Sequence, residues 1–177
     1  MFKKMFTRFS KVVAAGLVLS FMFLVPGAEA SHWGLSGGLQ THDPTIVRES
    51  GNTWWSASTG TGIGMKYSTN GGKTWTDGLP IFSRPLSWWK KYAPNMTTND
   101  VWAPDLEYYR GRYYCYYSVS EFGKNNSAIG LVSCSSISKG DWRDDGVVLY
   151  SRYGSSKFNA IDPNLVVDAK GKPWLVY

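Results

Sequence analysis

The sequence predicts an all-β chain assembled from a repeated unit, and three observations carry that prediction. Beyond residue 30, short apolar or aromatic stretches alternate with Gly, Asn, Asp and Ser. No stretch there sustains the 3.6-residue spacing of apolar positions that marks a helix. Pro44, Pro104 and Pro163 stand 60 and 59 residues apart, and each heads a similar series. Thr45-Ile46, Gly51 and Trp54-Trp55 follow the first; Asp105-Leu106, Gly111 and Tyr113-Tyr114 the second; Asn164-Leu165, Gly171 and Trp174 the third. Each series reads as strand, glycine turn, aromatic strand, and the first two continue into two more strands. Four-stranded antiparallel units at a fixed period are the signature of a β-propeller. A sandwich or jelly roll has short strands without that repeat.

The first thirty residues are expected to lie outside the fold. Lys3, Lys4, Arg8 and Lys11 precede an apolar run from Val12 to Val25, and Ala28-Glu29-Ala30 has the small-x-small form of a cleavage site. This is the pattern of a secretory signal peptide over residues 1–30, with residues 31–177 as the mature segment. The apolar run is shorter than the roughly 20 residues a spanning helix needs. The leader holds four of the nineteen basic residues and one of the thirteen acidic ones, so fifteen and twelve remain and the net charge falls from +6 to +3. The remaining charges are interspersed, which argues against nucleic acid as a partner. No membrane partner is expected.

Residues 34–40 form a glycine-rich entry with little pattern. Ile46-Val47, Thr53 to Ser58, Gly64 to Ser68 and Thr74-Trp75 read as the four strands of the first unit, and Asn70-Gly71-Gly72 is the turn between the last two. Cys115 and Cys134 fall in successive strands of the second unit. A turn centred near Lys124 and Asn125 would set them face to face, and an oxidising compartment would permit a disulfide. Two buried thiols are the competing outcome, because few opposed positions suit the geometry of the bond. The third unit reaches only Val176-Tyr177. Roughly two and a half units do not close a ring, so the chain is expected to be the N-terminal part of a longer propeller, with an open apolar edge.

The residues that carry chemistry sit at the heads of the repeats. Asp43-Pro44 and Asp162-Pro163 each place a carboxylate ahead of a strand, where a proline costs no ladder hydrogen bond. Equivalent strand ends converge on a propeller axis. Two carboxylates there make a pair of the kind that hydrolyses glycosidic bonds, although aspartate also serves as a plain turn residue. In the second unit Ala103-Pro104 fills the column and the carboxylate stands two residues on, at Asp105, on the same face of a regular strand. Asp105 therefore either joins the site or pairs with a neighbour. Trp102 lies at the expected mouth. His42 adjoins Asp43, and Phe122 is the one aromatic in a polar loop through Ser127. Aromatic residues make up 16% of the chain, and such side chains in a secreted protein serve as sheet core or as platforms for sugar rings.

Three segments together resemble the arabinanases of glycoside hydrolase family 43. They are His42-Asp43-Pro44-Thr45-Ile46, then Val101-Trp102-Ala103-Pro104-Asp105 running on to Tyr116-Tyr117-Ser118-Val119-Ser120, and then Asn159-Ala160-Ile161-Asp162-Pro163-Asn164. Ser127-Ala128-Ile129-Gly130-Leu131 is similar too, so the resemblance covers essentially all of the mature chain. It implies a five-bladed propeller that cleaves α-1,5-linked arabinan with inversion, acting as a secreted monomer when full length. It assigns Asp43 as the general base and Asp162 as the carboxylate that raises the pKa of the general acid and orients it. It assigns Trp102, Phe122, Asn159, Ala160 and Ile161 to substrate; by position rather than by resemblance, His42 either orients Asp43 or binds substrate, and Asp105 is counted with the substrate contacts. The family's acid is a glutamate in a later blade. Neither Glu107 nor Glu121 stands in a segment resembling it, so residues 31–177 alone are expected to be inactive. The resemblance also implies a Ca²⁺ in the central channel, with ligands beyond Tyr177 and no metal site within this segment.

Other readings differ in their requirements. Related family 43 propellers act on xylosides or single arabinose branches and share both aspartates. A sugar-binding propeller without its acid would bind and not cleave. Ser68-Thr69-Asn70-Gly71-Gly72-Lys73-Thr74-Trp75 resembles the Asp-box turn of sialidase propellers, with Asn where Asp is usual. The arginines show no context matching the cluster and tyrosine nucleophile that a sialidase needs.

Overall fold

Strand follows strand along this chain because glycine and side-chain-closed turns repeatedly reverse it. The computed structural model describes residues 34–177, and the expected leader lies outside them. The strands are β1 (Ser36–Gly37), β2 (Thr45–Ser50), β3 (Thr53–Ser58), β4 (Gly60–Thr61), β5 (Gly64–Ser68) and β6 (Thr74–Asp77). A short helix α1 (Trp89–Tyr92) follows, then β7 (Asp100–Tyr109), β8 (Arg112–Ser120), β9 (Ser127–Cys134), β10 (Arg143–Ser151), β11 (Asn164–Val167) and β12 (Pro173–Val176).

The repeat read from the prolines is visible as topology. In one sheet β2, β3, β5 and β6 pair in that order as an antiparallel meander, with β1 added parallel to β6. In the next, β7 to β10 form a second antiparallel meander, with β4 on the outer side of β7. β11 and β12 make a hairpin. Strands β3 and β5 span the stretches expected from sequence. The turn between β5 and β6 explains the resemblance to an Asp box. Asn70 Oδ1 accepts the Thr74 N–H at 2.9 Å, Ser68 Oγ accepts the Gly72 N–H at 3.0 Å, and Gly71 and Gly72 both take positive φ. The motif closes a turn and carries no chemistry of its own.

One buried cluster spans both meanders. Ala57, Ile63 and Met65 come from the first, Leu106, Tyr113, Cys115, Tyr117, Val119 and Val132 from the second. The segment between the sheets plugs the gap. Trp89 of α1 is fully buried, Phe82 packs edge-on against it with centroids 5.2 Å apart, and Trp89 Nε1 donates to the Tyr117 hydroxyl at 3.3 Å. Four residues are too few for periodicity to reveal, so sequence reading missed α1. Tyr117 opposes Gly130 across β8 and β9. A Cβ on Gly130 would stand 2.5 Å from the Tyr117 ring and 2.8 Å from Trp88, so any larger residue here forces those rings to shift.

Glu49 clamps the two meanders at their periphery. Its carboxylate accepts from Trp55 Nε1 and Ser136 Oγ, both at 2.7 Å, from the Ser138 N–H at 3.1 Å, and from the Ser138 hydroxyl. The Tyr113 hydroxyl donates to the Glu49 carbonyl at 3.2 Å. Partial burial alone would raise the Glu49 pKa; the hydrogen bonds from Ser138, Ser136 and Trp55 outweigh it and hold the carboxyl below its ordinary value.

Of the two outcomes open to the cysteines, the buried thiols are the one present. Cys115 opposes Val132 and Cys134 opposes Tyr113, so the register is offset by two residues from the one that would face them. Both are free and buried. Burial pushes the Cys134 thiol up to about 12, and that of Cys115 higher still. On the β11–β12 hairpin and the residue after it, Val166, Val167, Trp174, Val176 and Tyr177 are exposed.

Two outcomes follow. Gly130→Ala should destabilise the fold by about 1–3 kcal/mol, the usual cost of overpacking, read as a lowered denaturant midpoint at unchanged slope. Glu49 should steepen acid unfolding. A depressed folded-state pKa contributes stability above the ordinary value of 4.5 and loses it as pH falls through the depressed one. Glu49→Gln should therefore flatten the stability curve between about pH 5 and pH 2, measured by urea unfolding at each pH.

Candidate active site

Three turns head the repeats, and all three share an unusual backbone. Asp43, Ala103 and Asp162, each preceding a proline, have φ of 48°, 42° and 55°. Only five non-glycine residues among those described have positive φ, and the proline column holds three of them. Such a conformation costs of the order of 1–3 kcal/mol and persists only where neighbours over-determine it.

Here the neighbours are identical in kind. Thr59 Oγ accepts the Ala103 N–H at 2.7 Å, and Ser118 Oγ accepts the Asp162 N–H at 2.9 Å. The side chain after each proline then receives the next unit. Thr45 Oγ accepts the Leu106 N–H at 3.2 Å, and Asp105 Oδ2 accepts the Leu165 N–H at 2.6 Å. Two side chains of one unit thus fix the turn that heads the next.

The turns converge. Asp43-Pro44-Thr45, Ala103-Pro104-Asp105 with Glu107, and Asp162-Pro163-Asn164 together line one open depression of about 450 Å³. The two aspartates expected to work as a pair thus share a cavity. The Asp43 side chain is 43% exposed, its Oδ2 accepting from Thr59 Oγ at 2.7 Å and lying 3.3 Å from His42 Nδ1. Asp162 is exposed too.

Asp105 was counted with the substrate contacts, with pairing to a neighbour as its other possible part, and its hydrogen bonds give it that second part. Trp102 pairs with Ser118 while Asp105 pairs with Tyr116, so β7 carries one extra residue at Ala103-Pro104. That bulge breaks the alternation and accommodates the proline. Asp105 is only 6% exposed, and both oxygens are engaged, one by Leu165 N–H and the other by Asn164 Nδ2 at 3.2 Å. It latches neighbours together. Burial raises its pKa despite the hydrogen bonds from Leu165 and Asn164. Glu107 is raised by its own burial and then by the Asp105 charge.

A second depression has a volume of about 380 Å³. Trp102, Phe122, Asn159 and Ile161 line it, with Glu121, Lys124, Asn125 and Tyr153. Four of the residues expected to meet substrate are therefore together, and Phe122 is 95% exposed. Ala160 is not among them: it is 0% exposed, its N–H held by Ser151 Oγ at 3.0 Å, so its side chain is a support beneath the surface. The Asn159 side-chain carbonyl is turned inward, accepting from Ser127 Oγ at 2.6 Å. Glu121 accepts from Asn95 N–H at 2.8 Å, from Asn95 Nδ2 at 3.1 Å and from Asn126 Nδ2 at 3.3 Å. Burial opposes its ionisation, and these hydrogen bonds with the Lys124 charge more than offset that, leaving it below the ordinary range. An ionised, fully engaged carboxylate has no proton to give. Among the described residues no group of three or more His, Cys, Asp or Glu has the arrangement to hold a metal ion.

Sequence reasoning missed Thr59 and Ser118. The signal was there: they stand 59 residues apart, the interval from Pro104 to Pro163.

A repeated all-β scaffold presenting paired carboxylates beside an aromatic-lined depression is the architecture of a carbohydrate-active propeller. The chain belongs to glycosyl hydrolases family 43, whose model matches residues 38–177. It is 47% identical over 99% of its length to the extracellular endo-α-(1→5)-L-arabinanase 1 of Bacillus subtilis, covering 54% of that relative. It is 36% identical over 78% of its length to an extracellular exo-α-(1→5)-L-arabinofuranosidase of Cellvibrio japonicus, covering 40% of it. Among solved structures it matches an endo-arabinanase from Bacillus licheniformis with a TM-score of 0.76 at 51% identity, over 81% of this chain and 49% of the other. It also matches a Cellvibrio cellulosa α-L-arabinanase complexed with arabinohexaose, TM-score 0.72 at 35% identity, over 77% and 44%. The chain thus spans about half the length of the curated relatives it matches.

The latch role of Asp105 has a direct test. Asp105→Asn keeps an acceptor for the Leu165 N–H and removes a buried charge, and should leave stability near the parent at neutral pH. Asp105→Ala strands the N–H and should cost about 1–3 kcal/mol. Chemical unfolding of the two variants side by side checks this.

Proposed function

We propose that the protein carrying this chain is a secreted, inverting endo-hydrolase of α-1,5-arabinofuranosidic linkages in arabinan. The observation that carries the reading is the convergence of Asp43 and Asp162, from equivalent strained turns, on one open depression. The relatives supply the substrate class: both curated relatives above bear names of α-(1→5)-L-arabinan-cleaving enzymes, and one neighbour holds an arabinohexaose. Their extracellular names agree with a leader over residues 1–30. In this reading the two meanders and the hairpin are the first two and a half blades of a five-bladed propeller, monomeric when complete.

Asp43 is the general base. It takes a proton from water as the water oxygen bonds to the anomeric carbon. The bond from that carbon to the leaving sugar breaks with its electron pair on the glycosidic oxygen, which takes a proton from the general acid. An inverting pair stands about 6.5–9.5 Å apart to admit the water. Asp162 keeps that acid protonated through its like charge. Trp102, Phe122, Asn159 and Ile161 form the sugar-binding wall, and His42 borders the base. Glu121 is unsuited to be the acid. Glu107 shares the depression and has a raised pKa, but the family resemblance gives the acid's part to a residue outside the matching segments. The family's channel calcium would likewise be held by residues other than these.

The test uses protein from the whole reading frame and linear arabinan. Asp43→Ala should lower reducing-end release by about 10²–10⁴-fold or more with the fold intact. Retention of activity within about threefold of the parent, on the same scale, overturns the assignment. Early products of mixed length mark endo action, and a single short product marks exo action. Glu107→Gln should stay within a few-fold of the parent, whereas a loss as deep as that of Asp43→Ala would make Glu107 the acid.

A further inference from the structure

Thr59 does two things at once. Its Oγ accepts the Ala103 N–H at 2.7 Å, and an N–H can only donate. The hydroxyl proton is thereby free to point one way, to Asp43 Oδ2 at 2.7 Å, since an ionised carboxylate can only accept. The Thr59 N–H is itself fixed to the His42 carbonyl at 2.9 Å. The chain from Ala103 through Thr59 to Asp43 thus has a fixed polarity, and it links the turn heading the second unit to the carboxylate heading the first. Ser118 repeats only half of this: it holds the Asp162 N–H, and among the described residues its hydroxyl makes no bond to the Asp162 carboxylate. The donation to Asp43 is extra to the architecture.

It also selects which oxygen is free. Oδ2 receives Thr59 and faces His42 Nδ1, whereas Oδ1 accepts no hydrogen bond from any described residue. We infer that Thr59 is the positioning residue of the general base: it pins Oδ2 so that Oδ1 is the atom presented to the attacking water. Its cross-unit hydrogen bond makes the orientation of Asp43 depend on the docking of the second unit. The inference rests on Asp43 being the base, and the test separates the two.

The measurements are kcat and KM on linear arabinan, with protein from the whole reading frame, for Thr59→Val, Thr59→Ser, Asp43→Ala and the double variant Thr59→Val/Asp43→Ala. Thr59→Val should lower kcat by about 10–10²-fold, the scale of a misplaced reacting group, with KM nearly unchanged. Thr59→Ser, which keeps both hydrogen bonds, should recover the parent kcat. In the Asp43→Ala background Thr59→Val should cost nothing further, because a residue acting through the base has nothing left to position. A merely structural role would impose the same loss in both backgrounds. Equal losses, a loss confined to KM, or a Thr59→Val kcat within about threefold of the parent overturns this inference and leaves the base assignment standing. An active Asp43→Ala, or an inactive parent, overturns both. If Thr59→Val does not fold, Thr59→Cys, with a weak S–H donor of similar size, carries the same readouts.

Discussion

The structure depends on a hydrogen-bonded hand-over between successive repeats. A backbone turn with positive φ heads each unit, and for the second and third units the unit before supplies the acceptors that hold it: Thr59 for Ala103, Ser118 for Asp162, Thr45 for Leu106 and Asp105 for Leu165. A strained residue before a proline has little local reason to persist, because the proline biases it toward extended conformations. At Ala103 and Asp162 its stability is borrowed from the unit before. These two turns are therefore set only when two units are docked, and the Asp162 carboxylate inherits that dependence.

Ala103 separates what belongs to the scaffold from what belongs to the chemistry. It adopts the same positive φ as Asp43 and Asp162 without a polar side chain to stabilise it. The turn is thus an architectural device of the repeat. Aspartate tolerates the left-handed region better than most residues, so placing it there adds little strain and aims a carboxylate into the depression. The second unit spends its own carboxylate differently. The bulge at Ala103-Pro104 takes Asp105 inward, where burial and two donors turn it into a clasp. The same residue type thus serves two purposes, decided by one extra residue in a strand.

This also explains how much was legible beforehand. The proline period exposed the repeat, and strands β3 and β5 could be read from glycine turns and aromatic runs, since these are local signals. Asp43 and Asp162 were legible because they share a column with that period. What the sequence concealed depends on register. The bulge that inverts Asp105 and the two-residue offset that parts Cys115 from Cys134 are invisible to alternation, which assumes a regular ladder. Ala160 was expected at the surface with its neighbours Asn159 and Ile161, but it is fully buried and Ser151 accepts its N–H. Helix α1 is set by the tertiary burial of Trp89, which four residues of sequence do not announce.

The environments of the four carboxylates near the three turns sort them by chemistry. Asp105 and Glu107 sit where burial disfavours charge, while Asp43 and Asp162 stand open to the depression. A base that must accept a proton from water needs access and a free lone pair, and Asp43 has both, with only one oxygen occupied by protein. A clasp needs the opposite: little exposure, and both oxygens engaged, as at Asp105. Exchange of the two roles would fail on both counts. A buried Asp43 would meet no water, and an exposed Asp105 would surrender the Leu165 N–H to solvent and loosen the turn that carries Asp162. The separation between the open carboxylates and the buried one is therefore enforced by the fold, through the same hand-over that sets the turns.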